Sequence, residues 1–211
     1  MADPDHRGGI AVDRAGAVRD NAAMGTSSAG SHRTVTINRA PVLTLWAAVV
    51  AERLGYDRDE AVTLGRAVAG LNAASKARAL GIAKASGKPA AEKQARAAKA
   101  GTPVAVELCN RMVPAVKTPD GLRATSDGRP TAPASVHQYL EKNFGEALAD
   151  VRAAMAALAR SLDKDELAAT AFSLYEAFRP SVPRGTRGWG AKGVLDLAKI
   201  RDLAARGRGR G

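Results

Sequence analysis

Two apolar stripes at helical spacing, joined by almost no connection, constrain this chain more than any other feature. Val42, Leu45, Trp46, Val49, Val50 and Leu54 recur at three- and four-residue steps, so one helix face carries them all. Pro41 suits the first helical position, where a missing N–H costs nothing, and Gly55 supplies the left-handed residue that ends the helix. Asp57-Arg58-Asp59-Glu60 follows at once as a capping box, with the Asp57 side chain accepting the Glu60 amide. A second helix then runs to about Leu80 with Ala61, Leu64, Val68, Leu71 and Ser75 inward, and Gly81 closes it. Gly65 and Gly70 lie inside it, each costing up to about 1 kcal/mol relative to Ala, which argues for close approach of another backbone. The pair is a helical hairpin.

The rest of the chain is read against its composition. Ala makes up about a fifth of the 211 residues and aromatics only 4%, which favours thinly packed helices over a β-sandwich. Residues 1–36 are rich in Gly, Ala, Ser and Asp without either period and read as disordered. After the hairpin at 37–81, residues 82–101 hold almost nothing large and apolar and read as a solvated basic linker. In 102–134, Thr102-Pro103 reads as a cap, with Val104, Leu108, Cys109 and Met112 on a short helix over 103–112. Val113–Thr118 and Leu122–Thr125 then form a β-hairpin around Pro119-Asp120-Gly121. Ser126 to Pro133 reads as loop.

Three helices are expected over 135–180. Ser135 with Gln138 opens the first as a capping box, Leu148 to Leu162 forms the second, and Asp163 with Glu166 caps the third. In 181–211 a glycine-rich basic loop precedes a last short helix through Val194, Leu195, Leu197, Ile200 and Leu203, then an Arg-Gly tail. The expected fold class is mainly α: a small bundle of five to six helices with one β-hairpin, plus a disordered N-terminal segment and a basic low-complexity linker and tail.

Charge is unevenly placed. Of the formal +11, residues 82–101 carry +4 and residues 179–211 carry +7, while the acidic stretch 135–178 carries −3 and the remainder balances it. Such a pattern describes a near-neutral scaffold with basic arms, and basic arms suit phosphate. The candidate nucleic-acid contacts are Lys84, Lys88, Lys93, Arg96 and Lys99 in the linker, and Arg184, Arg187, Trp189 and Lys192 in the glycine-rich loop. In that loop glycines let backbone amides approach a phosphate and Trp189 stacks on a base. Arg206, Arg208 and Arg210 complete the set; their Arg-Gly repeat resembles RGG-type tails, which implies weakly selective binding of nucleic acid. The alternative for Trp189 is a plug in the helical core. A winged-helix-like order over 42–125 would instead put Asn110 and Arg111 in a groove, with the 113–125 hairpin as wing.

Little else carries chemistry. His6, His32 and His137 have no metal-ligand spacing, the single Cys109 reads as a buried inert thiol, and Asp163, Asp165 and Glu166 match what a helix dipole favours. The loop at 187–193 is not a P-loop, and no cofactor or metal is expected. The N-terminus is acidic with no apolar core of a signal peptide, and Val42 to Ala51 is half a bilayer span, so a cytoplasmic protein with no membrane contact is expected. The expected function is a non-enzymatic nucleic-acid-associated protein that binds DNA or RNA with low specificity through phosphate. Its alternative is a protein–protein adaptor using the acidic 135–178 helices, with the charge serving solubility. An enzyme, built on Arg187, Lys192 and a carboxylate, ranks last.

Overall fold

The computed structural model describes residues 33–82, 89–183, 185–186 and 190–208. Most of the expected segment 1–36 lies outside the described residues, but its end is ordered structure: strand β1 (Thr34–Asn38) leads directly into helix α1 (Arg39–Leu54). α1 is apolar on every side rather than along one stripe, with all residues from Pro41 to Ala51 buried. An all-round apolar helix belongs at the centre of a core. It ends as its sequence dictates, with Gly55 at φ 114° and its amide bonding the Ala51 and Glu52 carbonyls.

Helix α2 (Arg58–Ala79) starts at the Asp57–Glu60 capping box, in which Glu60 Oε2 accepts the Asp57 amide at 3.2 Å. Its two internal glycines behave differently. A Cβ at Gly65 would collide with the Thr44 carbonyl oxygen and approach Ala48 N to 2.8 Å, so this glycine lets α2 lie directly on α1. A Cβ at Gly70 would meet nothing within 4 Å, so close approach explains only the first.

The expected linker is half helix. Helix α3 (Ala90–Ala100) is a folded element with Ala97 buried, in contact with the sheet that follows it. The expected helix over 103–112 is absent: strand β2 (Thr102–Leu108) stands there, paired antiparallel with β3 (Arg111–Thr118). Val104 and Leu108 are four residues apart, a spacing that fits a helix face and a strand face alike, so the apolar pattern was ambiguous. The turn decides it. Cys109 and Asn110 sit at φ 50° and 57°, the pair of positive values that a two-residue hairpin turn demands. Pro103 is tolerated because β2 is the sheet edge.

The hairpin expected around Pro119-Asp120-Gly121 is present, but as the middle of a larger sheet rather than the chain's one β element. β4 (Gly121–Ser126) pairs with β3, and β5 (Arg129–Pro130) pairs with β4 across Asp127-Gly128, in the order β2-β3-β4-β5. Asp127 and Gly128 have φ 50° and 78°. α2 covers the rest of β4 with side chains instead of a strand: Glu60 Oε1 accepts the Leu122 amide at 2.7 Å and Thr63 Oγ1 accepts the Ala124 amide at 3.1 Å.

Helix α4 (Pro133–Phe144) begins earlier than expected, with Pro133 in its first turn. Ser135 is therefore inside the helix and donates to the Ala132 carbonyl instead of forming a capping box with Gln138. A 3₁₀ turn (Gly145–Ala147) leads into α5 (Leu148–Arg160), and α6 (Lys164–Phe178) is capped as expected by Asp163, which accepts the Glu166 amide at 2.7 Å. The last expected helix divides into strand β6 (Lys192–Asp196), which pairs with β1 in a second sheet, and helix α7 (Leu197–Arg208). Both helical halves share one core, which runs from Ile37 to Ala204 and has Trp46 as its largest fully buried side chain. The indole donates to the Ala171 carbonyl at 2.7 Å and meets Phe178 edge-on at 5.3 Å. Among the described residues no helix is long and apolar enough to cross a membrane.

Candidate nucleic-acid interface

A cleft of about 570 Å³ opens where the start of α1, the second half of α2 and the end of α6 meet Val182, Pro183, Thr186 and Ala191. Its position follows from the core. Trp46 anchors α6 on α1, so the C-terminal end of α6 lies beside the N-terminal end of α1, and the Tyr175 hydroxyl donates to the Arg39 carbonyl at 3.3 Å. Burial pushes the Tyr175 phenol up to about 12 against the opposing pull of Arg39, so it remains a neutral donor at this junction.

Three cationic side chains and one carboxylate line the cleft among the described residues: Arg39, Lys76 and Arg179 against Glu176. Arg39 donates through Nε to the Pro180 carbonyl at 3.1 Å, which fixes its stem and leaves the outer nitrogens of the guanidinium for a ligand. Arg179 pairs with Glu176 at 2.8 Å, neutralising the carboxylate. The first turn of α1 also lines the cleft and holds no acidic residue, its Ala40 amide being capped by Asn38 Oδ1 at 2.9 Å. Asn72 is held from behind: Arg111 Nη2 donates to its Oδ1 at 3.2 Å, and the Arg111 guanidinium lies 5.5 Å from the Phe172 ring centre. That bond orients the Asn72 amide with Nδ2 left as its donor. The opposite character is also present, since Leu43, Leu80 and Ile82 line the same cleft.

The sequence-derived contacts fall in different places. Lys84, Lys88, Arg184, Arg187, Trp189 and Arg210 lie outside the described residues. Of the described residues that flank them, Ile82, Pro183 and Thr186 line the cleft, whereas Pro89, Gly185, Gly190 and Arg208 do not. Lys192 follows Ala191 in β6, opposite Asn38, which is itself a lining residue. Lys93, Arg96 and Lys99 are on α3 and do not line it. Lys93 pairs with Asp127 at 3.0 Å and Arg96 pairs with Glu92, while Arg96 and Lys99 join Arg129 around an open groove of about 370 Å³ against β5. Arg206 and Arg208 belong to the last turn of α7, where Gly207 passes against Ser161.

Arg39, Lys76 and Arg179 escaped the sequence reading. No local signal marks them, because Arg39 and Arg179 are far apart in the chain and each is an isolated cation. The winged-helix arrangement is ruled out by β2: Asn110 is a turn residue and Arg111 faces Asn72. His137 lies on α4 with Nε2 3.4 Å from Asp59 Oδ1, and the Asp163-Asp165-Glu166 run caps α6. Cys109 is buried, and burial pushes its thiol up to about 12. Among the described residues no three His, Cys, Asp or Glu side chains converge as metal ligands. The chain matches no protein-family model, no curated protein and no solved structure.

Proposed function

We propose that this is a non-enzymatic, cytoplasmic nucleic-acid-associated protein whose anchorage for phosphate is the α1–α2–α6 cleft. One observation carries the reading: Arg39, Lys76 and Arg179, the first and last more than a hundred residues apart in sequence, line a single concave surface. Convergent cations at a concave surface raise the local potential and recruit polyanions, with affinity set by counterion release. The α3 groove with Lys99 and Arg129 offers a second, shallower contact for a long ligand. The adaptor alternative is weakened because acidic groups of 135–178 already serve the fold: Asp150 pairs with Arg33, Glu176 with Arg179, and Asp163 caps α6.

The test is fluorescence anisotropy of a labelled random-sequence oligonucleotide across a salt series. The affinity falls log-linearly with salt, and Lys76→Gln, an exposed change, makes the slope shallower by about one phosphate contact, or about 0.9 on duplex DNA. No binding at low salt, or a flat slope, removes the proposal and leaves the adaptor as the reading to pursue.

A further inference from the structure

The cleft is more than a patch of charge, and its apolar side has no use for a phosphate. Few large apolar side chains are exposed among the described residues, and two of them, Leu80 (58% exposed) and Ile82 (61%), line this one cleft. On the same face of α2, one and two helical turns before Leu80, stand Lys76 and the Asn72 amide, the latter held in one orientation by Arg111. A duplex meets a protein with its phosphates, and its bases are stacked inside, so an apolar wall with an amide beside it gains nothing from a duplex backbone. An unpaired base has apolar faces and a polar edge, and its own phosphate lies a few ångströms away. Apolar face, polar edge and anion each have a counterpart in the lining.

Building on the nucleic-acid reading, we infer that the cleft takes up one unpaired nucleotide. The base packs against Leu80 and Ile82, its edge accepts from Asn72 Nδ2, and the adjoining phosphate sits among Arg39, Lys76 and Arg179. The volume agrees, since about 570 Å³ lies within the range of small-molecule sites and far below what a duplex needs. The protein is therefore selective for single strands, with the apolar wall supplying selectivity and the cations supplying affinity for either form.

The experiment compares anisotropy titrations of a short labelled single strand and of the duplex made from it, at one salt concentration, with the full chain. The wild type binds the single strand about tenfold more tightly. Ala73→Phe, which fills the cleft from α2, weakens binding of both forms and abolishes the preference, whereas the exposed double change Leu80→Ser with Ile82→Ser abolishes the preference while leaving duplex affinity within about twofold. Circular dichroism melts confirm that the variants are folded; should Ala73→Phe fail to fold, the exposed double variant decides alone. Equal binding of both forms by the wild type overturns the inference and leaves the nucleic-acid reading standing, as does an unchanged preference in the double variant. Absence of binding to both forms overturns the nucleic-acid reading itself.

Discussion

The same substitution at two positions of α2 must act with opposite sign. Gly65→Ala and Gly70→Ala make one chemical change five residues apart in one helix. Replacing a helix-interior glycine by Ala stabilises by about 0.5–1 kcal/mol, through reduced freedom of the unfolded chain and better helix propensity. Gly70 is exposed and open to 4 Å around its missing Cβ, so Gly70→Ala realises that gain in full. At Gly65 the new methyl meets the Thr44 carbonyl and the Ala48 amide nitrogen, which are backbone atoms of a helix buried from Pro41 to Ala51. Neither atom can rotate away, so α2 must shift off α1 and off the Glu60 and Thr63 contacts to β4. Overpacking of this kind costs about 1–3 kcal/mol, and the backbone nature of the clash puts Gly65→Ala at the upper end. Allowing for the propensity gain, its net loss is about 2 kcal/mol, and the two variants are separated by about 3 kcal/mol. Urea unfolding followed by far-UV circular dichroism measures this, provided that m is unchanged. If Gly65→Ala is neutral or stabilising, the close packing of α1 on α2 is wrong.

Three further outcomes follow from the same contacts. Thr63→Val keeps the buried volume but leaves the Ala124 amide without its acceptor, which costs about 1–3 kcal/mol; a thermal melt in which Thr63→Ser is the more damaging change would show packing, not the hydrogen bond, to matter. Gly128→Ala places a Cβ against the Lys93 carbonyl at a φ of 78°, so hydrogen exchange of α3 amides accelerates while those of α1 keep their protection. Burial raises the folded Cys109 thiol from 9.0 to about 12 and the Tyr175 phenol from 10.0 to about 12. The unfolded chain ionises first, so the stability that these two groups contribute is fully present below pH 9.0 and is lost as the pH climbs toward 12, and iodoacetamide labels Cys109 at pH 8 only after unfolding. Rapid labelling of the native protein would contradict the buried turn.

Part of this protein is written locally. The α1–α2 hairpin, its Gly55 stop and the caps at Asp57 and Asp163 were legible because each depends on residues within a turn or two of one another. The β3–β4 hairpin was legible too, since Pro119-Asp120-Gly121 is a turn signal, yet Asp127-Gly128 passed for loop because Arg129–Pro130 is too short to show a period. Helix α3 went unread for a different reason. Its alanines make no apolar stripe, and Ala97 is buried only because Gly128 lets the β4–β5 turn come within contact of the helix backbone.

The sequence by itself determined where α1 ends, where α2 and α6 begin, and where along the chain the charge lies. Both follow from short-range rules of periodicity and capping. Packing settled the rest. Val104 and Leu108 satisfy either period, so the register of β2 on β3 and the left-handed Cys109-Asn110 turn were needed to choose the strand. Arg39 and Arg179 become neighbours only because Trp46 docks on the Ala171 carbonyl and Tyr175 on the Arg39 carbonyl, contacts that span more than a hundred residues. Side chains so far apart share a cleft through the shape of the core, and a one-dimensional pattern carries no record of that shape.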